Sequence, residues 1–144
     1  MNSVPLDPGK VKIGDLTPEV RYKITNEQIK EYAELSFDHN PLHVDEDFAN
    51  KSFFKGIIAH GTIPLAYIYE SIFKYFRVSW IDDLIMNIKL IAPVRPNDTV
   101  ACYGMVKSFD TESIVIELSG VNQRKELFIV GEAIISRRTL ETGN

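Results

Sequence analysis

The chain has 144 residues, 44% of them hydrophobic and 25% charged, with a formal net charge of −4. This is the composition of a soluble globular domain with a real core, and no Lys/Arg run marks it for nucleic acid. Its single cysteine, Cys102, excludes a disulfide framework or a cysteine-based zinc site within one chain and suits the cytoplasm; residues 1–10 do not read as a signal peptide, and no stretch approaches the ~20 apolar residues that span a bilayer.

Neither a repeat nor a linker divides the sequence, so residues 1–144 are read as one domain. Tyr22-Lys23-Ile24 reads as a short strand. Thr25-Asn26-Glu27-Gln28 has the form of a capping box, and Ile29, Tyr32, Ala33 and Ser36 follow at helical spacing, which predicts a helix over 26–36. A second helix is expected to start at Asp45, with Glu46 and Asp47 at its positive end and Phe48 and Ala49 buried. Gly56 and Gly61 mark sharp changes in the loop that follows, and Thr62 is the expected cap of the next helix. From Ile63 to Phe76 the sequence is apolar on nearly every side, which predicts a helix buried all round. Strands are expected over 84–91, 98–107, 113–121 and 127–137, and Arg137-Arg138 reads as a solubilising strand end. The fold class is therefore α+β, an antiparallel sheet wrapped around one long helix.

The segment Asp38-His39-Asn40-Pro41-Leu42-His43 carries the chemistry. Pro41 lacks an N–H and pushes Asn40 out of the helical region, so the backbone turns between Asp38 and His43. Such a turn can bring a carboxylate and an imidazole to one water molecule and move its protons. In the alternative reading Asp38 caps a turn and His43 bonds a backbone carbonyl. His39 reads as exposed and without a role. The start of the long helix offers free N–H groups and a positive dipole end, and Gly61 allows close approach, so the Gly61 N–H is the leading candidate donor to a developing oxyanion.

In its order of elements and its motifs the chain resembles the MaoC-like dehydratases, the R-specific enoyl-CoA hydratases of the hot-dog fold. The resemblance runs over residues 24–137. It is carried by Tyr32-Ala33-Glu34-Leu35-Ser36-Phe37-Asp38-His39-Asn40-Pro41-Leu42-His43, by Ala59-His60-Gly61, and more weakly by Ala92-Pro93-Val94-Arg95-Pro96-Asn97-Asp98-Thr99-Val100. It implies that Asp38 and His43 are a catalytic pair. The reaction implied is addition of water to a trans-2-enoyl-CoA, giving the (R)-3-hydroxyacyl-CoA, or its reverse. Neither metal nor cofactor is implied beyond the CoA thioester that serves as substrate, with acyl carrier protein as the other possible carrier. A homodimer is implied as well.

Asn40 is expected to hold the turn and His60 to fix the shape of the catalytic loop. Phe37 stands where relatives often have glycine, and Tyr69 where some carry a small hydroxyl residue. Those two are the acyl-pocket candidates, with a short-chain preference as the consequence. Lys89, Arg95, Arg124 and Lys125 are candidates for contact with CoA phosphates. Two other functions compete: a hot-dog thioesterase, for which Glu70 is the available carboxylate, and a non-catalytic acyl-thioester-binding subunit.

Overall fold

The computed structural model describes residues 6–78 and 81–141. After a 3-10 turn at Pro8–Lys10 come β1 (Val20–Lys23), α1 (Asn26–Ser36), α2 (Pro41–Val44), α3 (Glu46–Lys51) and the long α4 (Thr62–Phe76). Four strands follow, β2 (Leu84–Leu90), β3 (Thr99–Phe109), β4 (Ser113–Val121) and β5 (Leu127–Ser136), and then α5 (Arg137–Glu141). The strands form one antiparallel sheet in the order β1-β3-β4-β5-β2. This is the hot-dog architecture, with α4 as the filling. Among the described residues, no helix is long and apolar enough to cross a membrane.

The sheet curls around one side of α4. Ile63, Pro64, Tyr67, Ile68, Ser71, Ile72 and Phe76 are buried and fall on one face at three- and four-residue spacing. They meet Val100, Cys102, Ile116, Leu118, Phe128 and Ile135 in the core. On the other side Ala66 and Lys74 are exposed and Tyr69 and Phe73 only half-buried. The expectation of burial all round is therefore corrected: a sheet covers one face of a helix, and apolar composition alone does not say what covers the other.

Ser71 is a polar residue within that buried face. Its hydroxyl donates to the Pro18 carbonyl at 2.6 Å and lies 2.6 Å from the Thr17 hydroxyl, which accepts from the Gly104 N–H at 2.7 Å. The network ties the N-terminal segment, the central helix and β3 together with its polar groups satisfied.

Other local expectations change in detail. Thr25 caps α1 by accepting from the Gln28 N–H at 3.1 Å, but the Gln28 side chain reaches across to the Tyr67 hydroxyl instead of closing the box. Asp45 caps α3 and Ala49 is buried, whereas Phe48 lies half-exposed. Gly61 occupies the cap position of α4 and Thr62 is its first residue, with no side-chain capping bond. Arg137 and Arg138 open α5 instead of ending a strand.

Candidate active site

Two chain segments converge at the start of α4. In the first, α1 ends at Phe37, which takes the left-handed conformation (φ 58°) and turns the chain out of the helix. The Asp38 carboxylate then accepts from the Asn40 N–H at 3.2 Å, and the Asn40 side chain accepts from the Leu42 N–H at 3.0 Å. Asn40 (φ −53°, ψ 126°) lies outside the helical region and caps α2, whose first residue is Pro41, where a missing N–H costs nothing. His43 thus stands on a one-turn helix directly after the Asp38 turn.

The second segment runs from Ile58 to Gly61. The Ile58 carbonyl accepts from His43 Nδ1 at 2.7 Å. In the neutral ring the proton is then on Nδ1, and Nε2 keeps its lone pair. His60 is only 2% exposed. Its Nε2–H donates to the Asp38 carbonyl at 2.9 Å, and its ring stacks on His43 (centroids 3.8 Å apart, planes 29°) and tilts against Tyr32 (4.8 Å). Its Nδ1 is buried and has no partner among the described residues. Burial, the largest influence, pushes the His60 imidazole below its usual value; the bond to the Asp38 carbonyl opposes this and the neighbouring His43 adds to it. His60 is a neutral brace joining the Asp38 turn to His43.

A carboxylate oxygen of Asp38 and a ring nitrogen each of His43 and His60 lie within 4.8 Å of one another. Such a trio has the donor types that divalent metals accept. His43 Nδ1 and His60 Nε2 already donate to backbone carbonyls, which leaves His43 Nε2 and His60 Nδ1 as the ring nitrogens with free lone pairs.

Beside the pair lies a cavity of about 430 Å³ lined by His43, Gly61 and an apolar wall that includes Leu42, Phe54, Pro64, Leu90, Val94 and Phe128. No acceptor among the described residues takes the Gly61 N–H. Gly61 has ordinary helical angles (φ −61°, ψ −22°), so the expected sharp change of backbone is not what requires glycine there. The requirement is space: a Cβ on Gly61 would overlap Leu90 Cδ1 and lie 3.4 Å from Cδ2.

The structure brings Asp38, Asn40, His43, His60 and Gly61 together. It does not bring Phe37 or Tyr69 to the cavity: Phe37 is 85% exposed, and Tyr69 packs beside Phe73 on the far side of α4. Glu70 accepts from the Tyr22 hydroxyl and pairs with Lys74, also outside the cavity. His39 is exposed, with Glu34 at 3.6 Å. Of the basic candidates, Arg95 donates to the Phe54 carbonyl, Arg124 pairs with Glu126 at 2.8 Å, and Lys89 and Lys125 are exposed. Sequence reasoning missed the wall residues Phe53, Phe54, Leu90 and Phe128. The paired aromatics before Gly56 were the available signal.

A hot-dog sheet with a carboxylate, an imidazole and a backbone N–H that meets no acceptor among the described residues, gathered near the start of α4 beside an apolar cavity, fits the hydratase/dehydratase class acting on acyl thioesters. The chain belongs to the MaoC-like domain family, whose model matches residues 13–124. It is 30% identical over 112 residues to an (R)-specific enoyl-CoA hydratase of Rhodospirillum rubrum, covering 78% of this chain and 74% of that one. It is 43% identical over 53 residues to a mitochondrial 3-hydroxyacyl-[acyl-carrier-protein] dehydratase of Arabidopsis thaliana, a match that spans 37% of this chain and only 31% of the plant protein. A monoamine oxidase regulatory protein from Archaeoglobus fulgius has a similar structure: TM-score 0.75 at 29% identity, covering 94% and 97% of the two chains.

Proposed function

We propose that the protein hydrates trans-2-enoyl-CoA to (R)-3-hydroxyacyl-CoA and catalyses the reverse dehydration, with no cofactor beyond the thioester. The observation that carries this reading is the bond from His43 Nδ1 to the Ile58 carbonyl, which leaves the Nε2 lone pair free on a ring that lines the cavity, with a nitrogen of that ring within 4.8 Å of an Asp38 carboxylate oxygen. One water molecule held by these two groups can lose a proton as its oxygen attacks C3, while the pair returns a proton to C2 on the same face. The roles of acid and base are shared between the two groups. As C2 becomes enolate-like, the thioester oxygen gains negative charge. The Gly61 N–H, at the positive end of α4, is its donor.

In this reading the acyl chain runs along Leu42, Phe54, Pro64 and Leu90, away from Tyr69. Acyl carrier protein remains the alternative carrier, supported by the plant relative's name. The functional unit is a homodimer: β1 and β2 are open sheet edges, and Ile85 and Leu90 on β2 are exposed.

The test follows loss of the enoyl-thioester absorbance of crotonyl-CoA. Asp38→Asn and His43→Ala should each lose ~10²–10⁴-fold in turnover while melting like the parent protein. Near-full turnover in either folded variant overturns the assignment, and release of free thiol by the parent protein would indicate hydrolysis instead.

A further inference from the structure

We propose that Arg95 is a positioning residue that holds the Phe53-Phe54 wall of the cavity in place and thereby sets discrimination between long and short acyl chains. This rests on the reading of the cavity as the acyl site.

Arg95 does not line the cavity; it stands behind it. Its backbone is anchored in a turn: the Arg95 N–H donates to the Asp98 carboxylate at 2.8 Å, and its carbonyl accepts from the Asp98 N–H at 3.1 Å. Asp98 is itself buried and also accepts from the Gln123 side chain at 2.9 Å. From this fixed base the guanidinium crosses to the Phe54 carbonyl, which accepts from Nη2 at 2.5 Å. Among the described residues no carboxylate pairs with this guanidinium. Its charge is spent on the loop.

The loop's other bonds run mostly back to α2 and α3, among them the Lys55 N–H to the Ser52 carbonyl and the Ile58 N–H to the Leu42 carbonyl, each at 3.2 Å. Lys55 (φ 56°) and Gly56 (φ 153°) both lie at positive φ, which strains the non-glycine residue. The Ser52 hydroxyl accepts from the Phe54 N–H, and the Ala49 carbonyl from the Gly56 N–H, so the loop is tied back to α3. Toward the cavity wall at Ala92–Val94 the ties are the Ala59 N–H to Val94 carbonyl bond at 2.8 Å and the Arg95 side chain. Arg95 Nη1 also lies 3.2 Å from where a Cβ on Gly56 would stand, so it covers that glycine directly. Phe54 lines the cavity, and Phe53, edge-on to it at 5.6 Å, is 91% exposed. Phe54 is half-buried, and a ring as exposed as Phe53 gets its orientation from the backbone beneath it. Losing the Arg95 bond therefore frees the Phe53-Phe54 wall that a long chain must lie against, while the bonds of Ile58 to Leu42 and His43 hold the far end of the loop and the His43 ring.

The experiment compares the parent protein with Arg95→Gln, Arg95→Lys and Gly56→Ala. Hydrogen exchange of residues 53–56 should quicken by about tenfold in Arg95→Gln, as expected for a lost charge-assisted bond, with exchange at Ile58 and in β3–β5 unchanged. KM for a ten-carbon enoyl-CoA should rise by a similar factor, while kcat for the four-carbon substrate stays within about twofold. Arg95→Lys should fall between the two. Gly56→Ala should reproduce the loop opening with the arginine intact, which keeps the proposal testable if Arg95→Gln fails to fold. Unchanged exchange at 53–56, or a KM change equal for both chain lengths, overturns it. If the parent protein hydrates no enoyl thioester, the functional reading fails, and exchange alone still decides whether Arg95 holds the loop.

Discussion

Gly61→Ala separates a steric requirement from a conformational one. Gly61 is helical, so alanine adds no backbone strain and gains ~0.5–1 kcal/mol from reduced chain entropy. Against this, the new Cβ overlaps Leu90 Cδ1 and stands 3.4 Å and 3.5 Å from Cδ2 and Cγ. Overpacking of this kind costs ~1–3 kcal/mol. Leu90 is 56% exposed at the end of an edge strand, so its tip can swing aside and the cost falls at the low end. The net change is a destabilisation of ~0–2 kcal/mol, a Tm drop of about 8 °C at most. Activity should suffer more, because a displaced Leu90 crowds the cavity beside the Gly61 N–H. Denying the thioester oxygen its donor costs ~10²–10³-fold in kcat. Leu90→Ala removes the overlapping atoms, so the Gly61→Ala/Leu90→Ala protein should recover at least about tenfold over Gly61→Ala alone, a coupling of ~1.4 kcal/mol. Enoyl-CoA hydration and thermal melts on all four proteins complete the cycle. Full activity of Gly61→Ala, or no recovery in the folded double variant, refutes the steric account.

His60 gives a pH signature. Its folded-state value is depressed by burial, so below about pH 6.5 the unfolded chain takes up a proton that the native ring refuses. The unfolded state then binds more protons, and stability falls as pH drops from there toward the folded value. His60→Gln should flatten that slope in urea melts near pH 7.5 and pH 5.5; an unchanged slope would mean that His60 protonates freely in the native protein. Burial pushes the Cys102 thiol up to about 12. A thiol reagent near pH 8 should leave it unlabelled in the native protein and label it fully in denaturant, and rapid native labelling would contradict its place under α4. Sedimentation at micromolar concentration should find a dimer, and a monomer there would count against pairing through the open strand edges.

The sequence carried much of this. Alternation in 84–91 gave a strand, because a sheet with one covered face demands period two, and turn-like segments bounded the strands that follow. Thr25 and Asp45 announced helix starts, because capping is local chemistry that depends on a few neighbouring residues, whereas the one-turn α2 that Pro41 opens was not expected. The Asp38 to His43 turn was legible for the same reason, since proline restricts its own backbone wherever it stands. What local rules could not reach was decided by packing. The apolar run of α4 did not reveal that only one of its faces meets the sheet, and Tyr69 fell on the other. Nor did Gly61 reveal that its missing side chain makes room for Leu90, 29 residues away in β2. His60 became a brace, and Arg95 a tie to the Phe54 loop, only when distant segments met, 22 and 41 residues apart in the chain. Contacts of that kind depend on sheet register and helix placement, and no window of neighbouring residues encodes them.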